Sequence, residues 1–326
     1  MNKLFKLLGL TMALFFAAMS FANAAEPAPT GEPGNAQLWA ELHAGATGFT
    51  VSQSEFHKQP INVYDLHVLD FRAHWLAPGL VLALFGMITL FIVFIKINGI
   101  SKVHNGFSGK MVYRWSKADL FSHWLGAIPC LLLILTGLVI LAGRFFVKPY
   151  LDQGVWGSLV YAAKFTHNTV ALPFFFGWAL MTLRWAKKQL PKSYDLKWFM
   201  MAGGYINFGP FKGKHPDSGF ANAGEKLWFW TFALFGLVIA VTGMILLFPN
   251  LLHPSRTVSL YALILHGISA IILCAFAVVH IFMATAMSEG GMECMLSGYC
   301  DENWATQHHN LWFDEIKANG TLKYRE

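Results

Sequence analysis

Five stretches of this chain, residues 74–97, 120–143, 159–183, 226–248 and 258–285, are each apolar over the length a helix needs to cross a bilayer, which is roughly 20 residues. No other feature limits the fold as much. Backbone inside lipid has to satisfy its own hydrogen bonds, so segments of this kind are helices and not open sheet. Of the 326 residues, 55% are hydrophobic and only 13% charged, which lies outside the range of soluble domains. An all-α integral membrane protein is expected.

The formal charge of +6 does not point to nucleic acid, because the basic residues sit in short loops between apolar runs and form no basic face. Their distribution sets a topology instead. Loop 98–119 carries Lys102, Lys110, Arg114 and Lys117, and loop 184–225 carries Arg184, Lys187, Lys188, Lys192, Lys197, Lys212 and Lys214. The opposite loops hold only Arg144, Lys148 and Arg256. The positive-inside rule makes the first two loops cytoplasmic.

Residues 1–24 agree with that orientation: Lys3 and Lys6 precede a short apolar core that ends in Ala22-Asn23-Ala24, the form of a cleaved signal peptide. The expected organisation is a signal at 1–24, a periplasmic segment at 25–73 and an additional transmembrane helix at 74–97. A cytoplasmic loop at 98–119, a four-helix unit at 120–285 and a cytoplasmic tail at 286–326 follow. Such a chain belongs in the bacterial inner membrane, in contact with lipid along all its spans. Cys130 and Cys274 lie inside apolar helices as packing residues, and the spacing of Cys294 and Cys300 suits neither zinc nor covalent haem.

The last apolar run, LYALILHGISAIILCAFAVVHIFMA, contains no carboxylate, lysine or arginine, yet it keeps His266 and His280. Fourteen residues apart, they share one helix face and are separated by about 21 Å along the axis. Two other spans bury one histidine each: His123 soon after its span leaves the cytoplasm, His167 soon after its span enters from outside. By depth the four form an inner couple, His123 with His280, and an outer couple, His167 with His266. A lone membrane histidine is often only a hydrogen-bonded packing residue. Matched depths on three helices point to bis-imidazole ligation of two b haems, one neutral imidazole on each face of each iron. His74 reads as an interfacial residue beside Trp75. His308 and His309 read as surface or interface residues of the tail, and His43, His57, His67, His104, His215 and His253 as unclustered loop residues.

From Tyr113 to Ile316 the chain resembles the di-haem cytochrome b556, or gamma, subunit of respiratory formate dehydrogenase. The resemblance rests on His123-Trp124, a histidine followed by PFFFGW, NAGEKLWFW at 222–230, the His266/His280 pair and QHHNLWFDEI at 307–316. It implies that electrons reach the periplasmic haem from an iron–sulfur (beta) subunit, fed by a molybdenum or tungsten (alpha) subunit that oxidises formate. They would then cross to the inner haem and reduce menaquinone or ubiquinone beside Asn222, Gly224, Glu225, Lys226 and His280. This chain itself would not oxidise formate. The plain reading of the 222–226 segment is a helix start capped by Asn222, whose free amide donors can also face a quinone oxygen. Two alternatives stand: the cytochrome b of a nickel–iron hydrogenase or thiosulfate reductase, or a haem-free transporter or anchor whose histidines relay protons.

Overall fold

The computed structural model describes residues 63–325; the signal sequence, its A-x-A site and most of the 25–73 segment lie outside the described residues. Among them, five helices are long and apolar enough to cross a membrane: His67–Asn98, Lys117–Phe146, Gln153–Gln189, Ala223–Leu247 and Arg256–Met287. They are called the first to fifth spans below. The first begins upstream of residue 74, because helix already runs through Val63–Phe71.

Polar caps set where the four later spans begin. Ser116 and Asp119 form a reciprocal capping box, each side chain accepting the other residue's backbone N–H at 3.2 Å. Asn222 and Glu225 repeat it at 2.9 and 3.1 Å. Asp152 accepts from Val155 N at 2.9 Å, and Ser255 from Val258 N at 3.3 Å. Each cap satisfies an amide donor that a helix start leaves free.

Lipid offers no hydrophobic incentive for helices to associate, so close approach through small residues does the work. The second and third spans cross at Gly126 and Gly177, where a Cβ on Gly177 would strike the backbone of Gly126. Gly236 of the fourth span receives the Trp178 indole of the third, whose N–H donates to Phe232 O at 3.1 Å. The first span stands outside this bundle. Its Ala77 and Leu80 pack on Leu138 and Ala142 of the second span and Cys274 of the fifth.

Among the described residues, one end of the bundle is capped and the other is nearly bare. The cap combines the segment after the first span, the segment between the third and fourth, and the tail. Strand β1 (Met111–Tyr113) pairs antiparallel with β2 (Tyr299–Asp301), Val112 opposite Cys300. Asp301 accepts backbone hydrogen bonds from Ser108, Gly109 and Asn303. Burial opposes its charge, but these bonds hold its carboxyl below the usual carboxylate range. The tail therefore folds onto its own chain, with Trp304, Trp312 and Phe313 buried in the core that includes Trp115 and Trp185.

Candidate functional site

His167 and His266 face each other from the third and fifth spans with ring centroids 6.4 Å apart. Behind each ring stands a buried threonine. Thr136 Oγ1 lies 2.9 Å from His167 Nδ1, and Thr242 Oγ1 lies 3.0 Å from His266 Nδ1. Each hydroxyl donates its single proton to a carbonyl of its own helix, Leu132 O at 2.7 Å and Val238 O at 2.6 Å. It can then only accept from the imidazole, so both Nδ1 atoms carry hydrogen and both Nε2 lone pairs are left for a metal. A glycine follows each threonine, and a Cβ at Gly137 or Gly243 would lie 3.6 or 3.4 Å from the Cε1 atom of the histidine it faces.

His123 and His280 form the second pair, from the second and fifth spans, also with centroids 6.4 Å apart. Their support is aromatic. His280 stacks on Trp228 at 5.1 Å and 17°, and His123 meets Trp124 edge-on at 5.0 Å. His123 Nδ1 is buried without a hydrogen-bond partner. The pair lies toward the capped end, since His123 belongs to the start of its span and His280 to the end of its own.

A ligating imidazole nitrogen sits about 2 Å from its metal, so two rings facing across one iron have centroids roughly 6 Å apart. Both pairs have that spacing. Among the described residues no group of three or more His, Cys, Asp or Glu could hold a metal ion alone. The donor set suits an iron whose remaining ligands come from a macrocycle.

The segment expected to face quinone closes the capped end. Asn222 caps the fourth span as anticipated from the sequence. Lys226, however, is bound in a buried ion pair, its Nζ 2.8 and 2.9 Å from the Asp195 carboxylate oxygens. Gly224 faces the Trp198 ring, which a Cβ would displace. Glu225 has its oxygens 3.6 Å from Arg114 Nη2 and 3.7 Å from His309 Nε2, and its side chain stays 39% accessible. Arg114 is buried among the rings of Trp115, Phe220, Trp304 and Trp312, with its Nη2 donating to Phe220 O.

Several histidines differ from the sequence expectation. His308 and His309 are buried, 6% and 0% exposed, because the tail folds inward over the cap. His104 and His215 are clustered, their Nε2 atoms 3.3 Å apart, and His215 meets His308 edge-on at 5.5 Å between centroids. His67 lies in helix and not in a loop. His74 is exposed as expected and pairs with Asp70 at 2.9 Å. Burial, reinforced by the neighbouring His104 ring, lowers His215 to about 4; burial with His215 and Arg114 beside it lowers His308 to about 3, and burial with Arg114 beside it takes His309 well below the ordinary imidazole value.

A helical membrane bundle that sets four histidines in two facing pairs defines a class, the membrane cytochromes b. The family model described as prokaryotic cytochrome b561 matches residues 114–298, more than half of the chain, and the chain belongs to that family. Among its relatives is the cytochrome b556(Fdn) subunit of the nitrate-inducible formate dehydrogenase of Escherichia coli K12. The two are 27% identical over 223 residues, covering 67% of this chain and 97% of that subunit. The formate dehydrogenase cytochrome b556 subunit of Haemophilus influenzae is 28% identical over 198 residues, 60% of this chain and 79% of the relative. The E. coli K12 cytochrome b556(fdo) subunit is 26% identical over 213 residues, 65% of this chain and 96% of the relative.

Proposed function

We propose that this chain is the membrane subunit of a formate dehydrogenase, anchoring iron–sulfur and molybdenum or tungsten subunits on the periplasmic face and passing their electrons across the bacterial inner membrane to quinone. The observation that carries the reading is the pair of facing imidazole couples, equal in spacing and set at two depths along the fifth span. His167 and His266 would hold one b haem, His123 and His280 the other. Each haem, when bound, supplies a one-electron redox centre.

The protein's own residues bind, orient and insulate. Thr136 and Thr242 hold the outer imidazoles in the ligating tautomer. Trp228 and Trp124 wall the inner pair against water. Asn222, Gly224 and Glu225 border the place where quinone would be reduced, and Lys226 supports it indirectly by fixing Asp195. Electrons crossing inward without a counter-ion build a membrane potential.

A reduced-minus-oxidised optical spectrum of the purified chain tests the haem reading, and the expected result is the α-band of a b-type cytochrome. A featureless spectrum after haem supplementation would favour the haem-free anchor. Orientation is read from reporter fusions after Ser158, expected in the periplasm, and after Gln189, expected in the cytoplasm. Co-purification with an iron–sulfur and a molybdenum or tungsten subunit distinguishes formate dehydrogenase from a hydrogenase or thiosulfate reductase.

A further inference from the structure

The family match begins at residue 114 and leaves the first span outside it. Along its middle, that helix meets the fifth span through small residues: a Cβ on Gly79 would lie 3.2 Å from Ile271 Cδ1, and one on Gly267 2.9 Å from Leu76 Cδ1. Close contact of this kind is what joins helices in lipid. Toward the uncapped end the joint changes character. Arg72 of the first span and Arg144 of the second line one hollow of about 110 Å³, together with Leu69, Ile140 and Leu141.

Two guanidiniums facing one hollow repel each other unless an anion lies between them. The chain supplies none there. Among the described residues, neither Arg72 nor Arg144 has a carboxylate partner. Asp70 pairs instead with His74 at 2.9 Å, and Asp152 caps the third span through Val155 N. Arg72 donates to Ile140 O at a long 3.4 Å, and Arg144 lies over the Phe145 ring at 4.5 Å. Each guanidinium has five N–H donors, so most remain for a ligand. Trp75 and Tyr150 are exposed at the same end, as aromatic side chains at headgroup depth are.

We propose that Arg72 and Arg144 bind the phosphodiester of an anionic phospholipid, whose charge fastens the first span to the second. The planar guanidinium fork matches phosphate oxygens in pairs. Ile140 and Leu141 give the hollow an apolar lining, and Leu69 lies exposed beside them. That surface suits the glycerol and upper acyl carbons of a lipid, whereas a free phosphate would lose hydration against it without return. With the topology expected from loop charge, the lipid stands in the periplasmic leaflet. Neither haem nor quinone takes part.

The test uses the full haem-loaded chain, stripped of lipid in detergent. Native mass spectra and melting curves are recorded after addition of phosphatidylglycerol, phosphatidylcholine or inorganic phosphate. The unaltered chain is expected to retain one phosphatidylglycerol and to gain Tm with it. Arg144 is exposed, so Arg144→Gln should fold normally. It should weaken phosphatidylglycerol binding about tenfold and remove the gain in Tm, as should Arg72→Gln. Arg144→Lys should recover part of the binding, and Lys187→Gln, an exposed position at the capped end, should leave it unchanged. No retained lipid in the unaltered chain, or equal retention in Arg144→Gln, would overturn the site. Phosphatidylcholine bound as tightly would reduce it to general lipid contact and overturn the preference for an anionic headgroup. Inorganic phosphate that displaces the lipid and gives the same gain in Tm would make the ligand a free anion and overturn the lipid.

Discussion

The two imidazole couples have the same spacing and opposite means of support. At the outer couple each ring is held by a threonine hydroxyl whose proton is already committed to its own helix. At the inner couple the rings lie against indoles, and His123 Nδ1 has no partner. Hydrogen bonds fix tautomer and orientation before any metal arrives, whereas aromatic walls fix only position. The outer site is thus organised in advance. The inner one, next to the cap and the expected quinone, is shaped by packing and keeps freedom in ring rotation.

The largest effect that could break this comparison is loss of a haem. His167→Ala or His266→Ala should remove the outer haem, and His123→Ala or His280→Ala the inner one. Pyridine haemochrome analysis should fall from two haems per chain to one in each case; one or none in the unaltered protein would contradict the two-site assignment. Thr136→Val and Thr242→Val sharpen the contrast. Each should weaken haem at the outer site about 10- to 100-fold, the usual range for an outer-shell partner of a ligating histidine. The inner haem should be untouched and threonine-to-serine variants near normal, as read by haem titration.

Trp228→Leu is the reciprocal test. Removing the ring stacked on His280 should cost about 1 kcal/mol, seen as a lower Tm of the haem-loaded protein and a shifted midpoint potential for the inner haem only. A separate expected effect is acid sensitivity of the cap. Folding holds His308 at about 3 against an ordinary 6.5, so between those values the unfolded chain binds a proton that the folded chain excludes. Stability should fall as pH drops from 7 toward 5. His308→Gln should flatten that slope in melting curves, and an unchanged slope would assign it to other groups.

The spans were legible because length and hydropathy leave a membrane segment little choice, and the histidine pairs because depth follows directly from position along a helix. The cap was not. His308, His309, His104 and His215 come together through contacts between segments about a hundred or more residues apart, such as Arg114 with Phe220 and His104 N with Gln307 Oε1, and no local periodicity records such pairings. Asp195 was missed for the same reason, although a lysine beginning an apolar span is a signal that a carboxylate partner is needed. The threonines had a visible sign: Thr-Gly occurs at 136–137 and again at 242–243, in each case in a span that packs beside an outer histidine. Its meaning lay in a hydrogen-bond geometry that spacing does not contain.

The small β1–β2 pairing has a mechanical consequence. It stitches the strand just before the second span to the strand after the fifth, and Trp124 adds an indole N–H donated to Met295 O at 2.8 Å. An up-and-down bundle normally has two loose ends and can splay like an unfastened hinge; here the ends are buckled together at the capped face. The second and fifth spans are also the ones that carry His123 and His280. The gap between those two rings is therefore spanned by a fastened frame, and thermal breathing at that end must stretch a hydrogen-bonded buckle before it can pull the imidazoles apart.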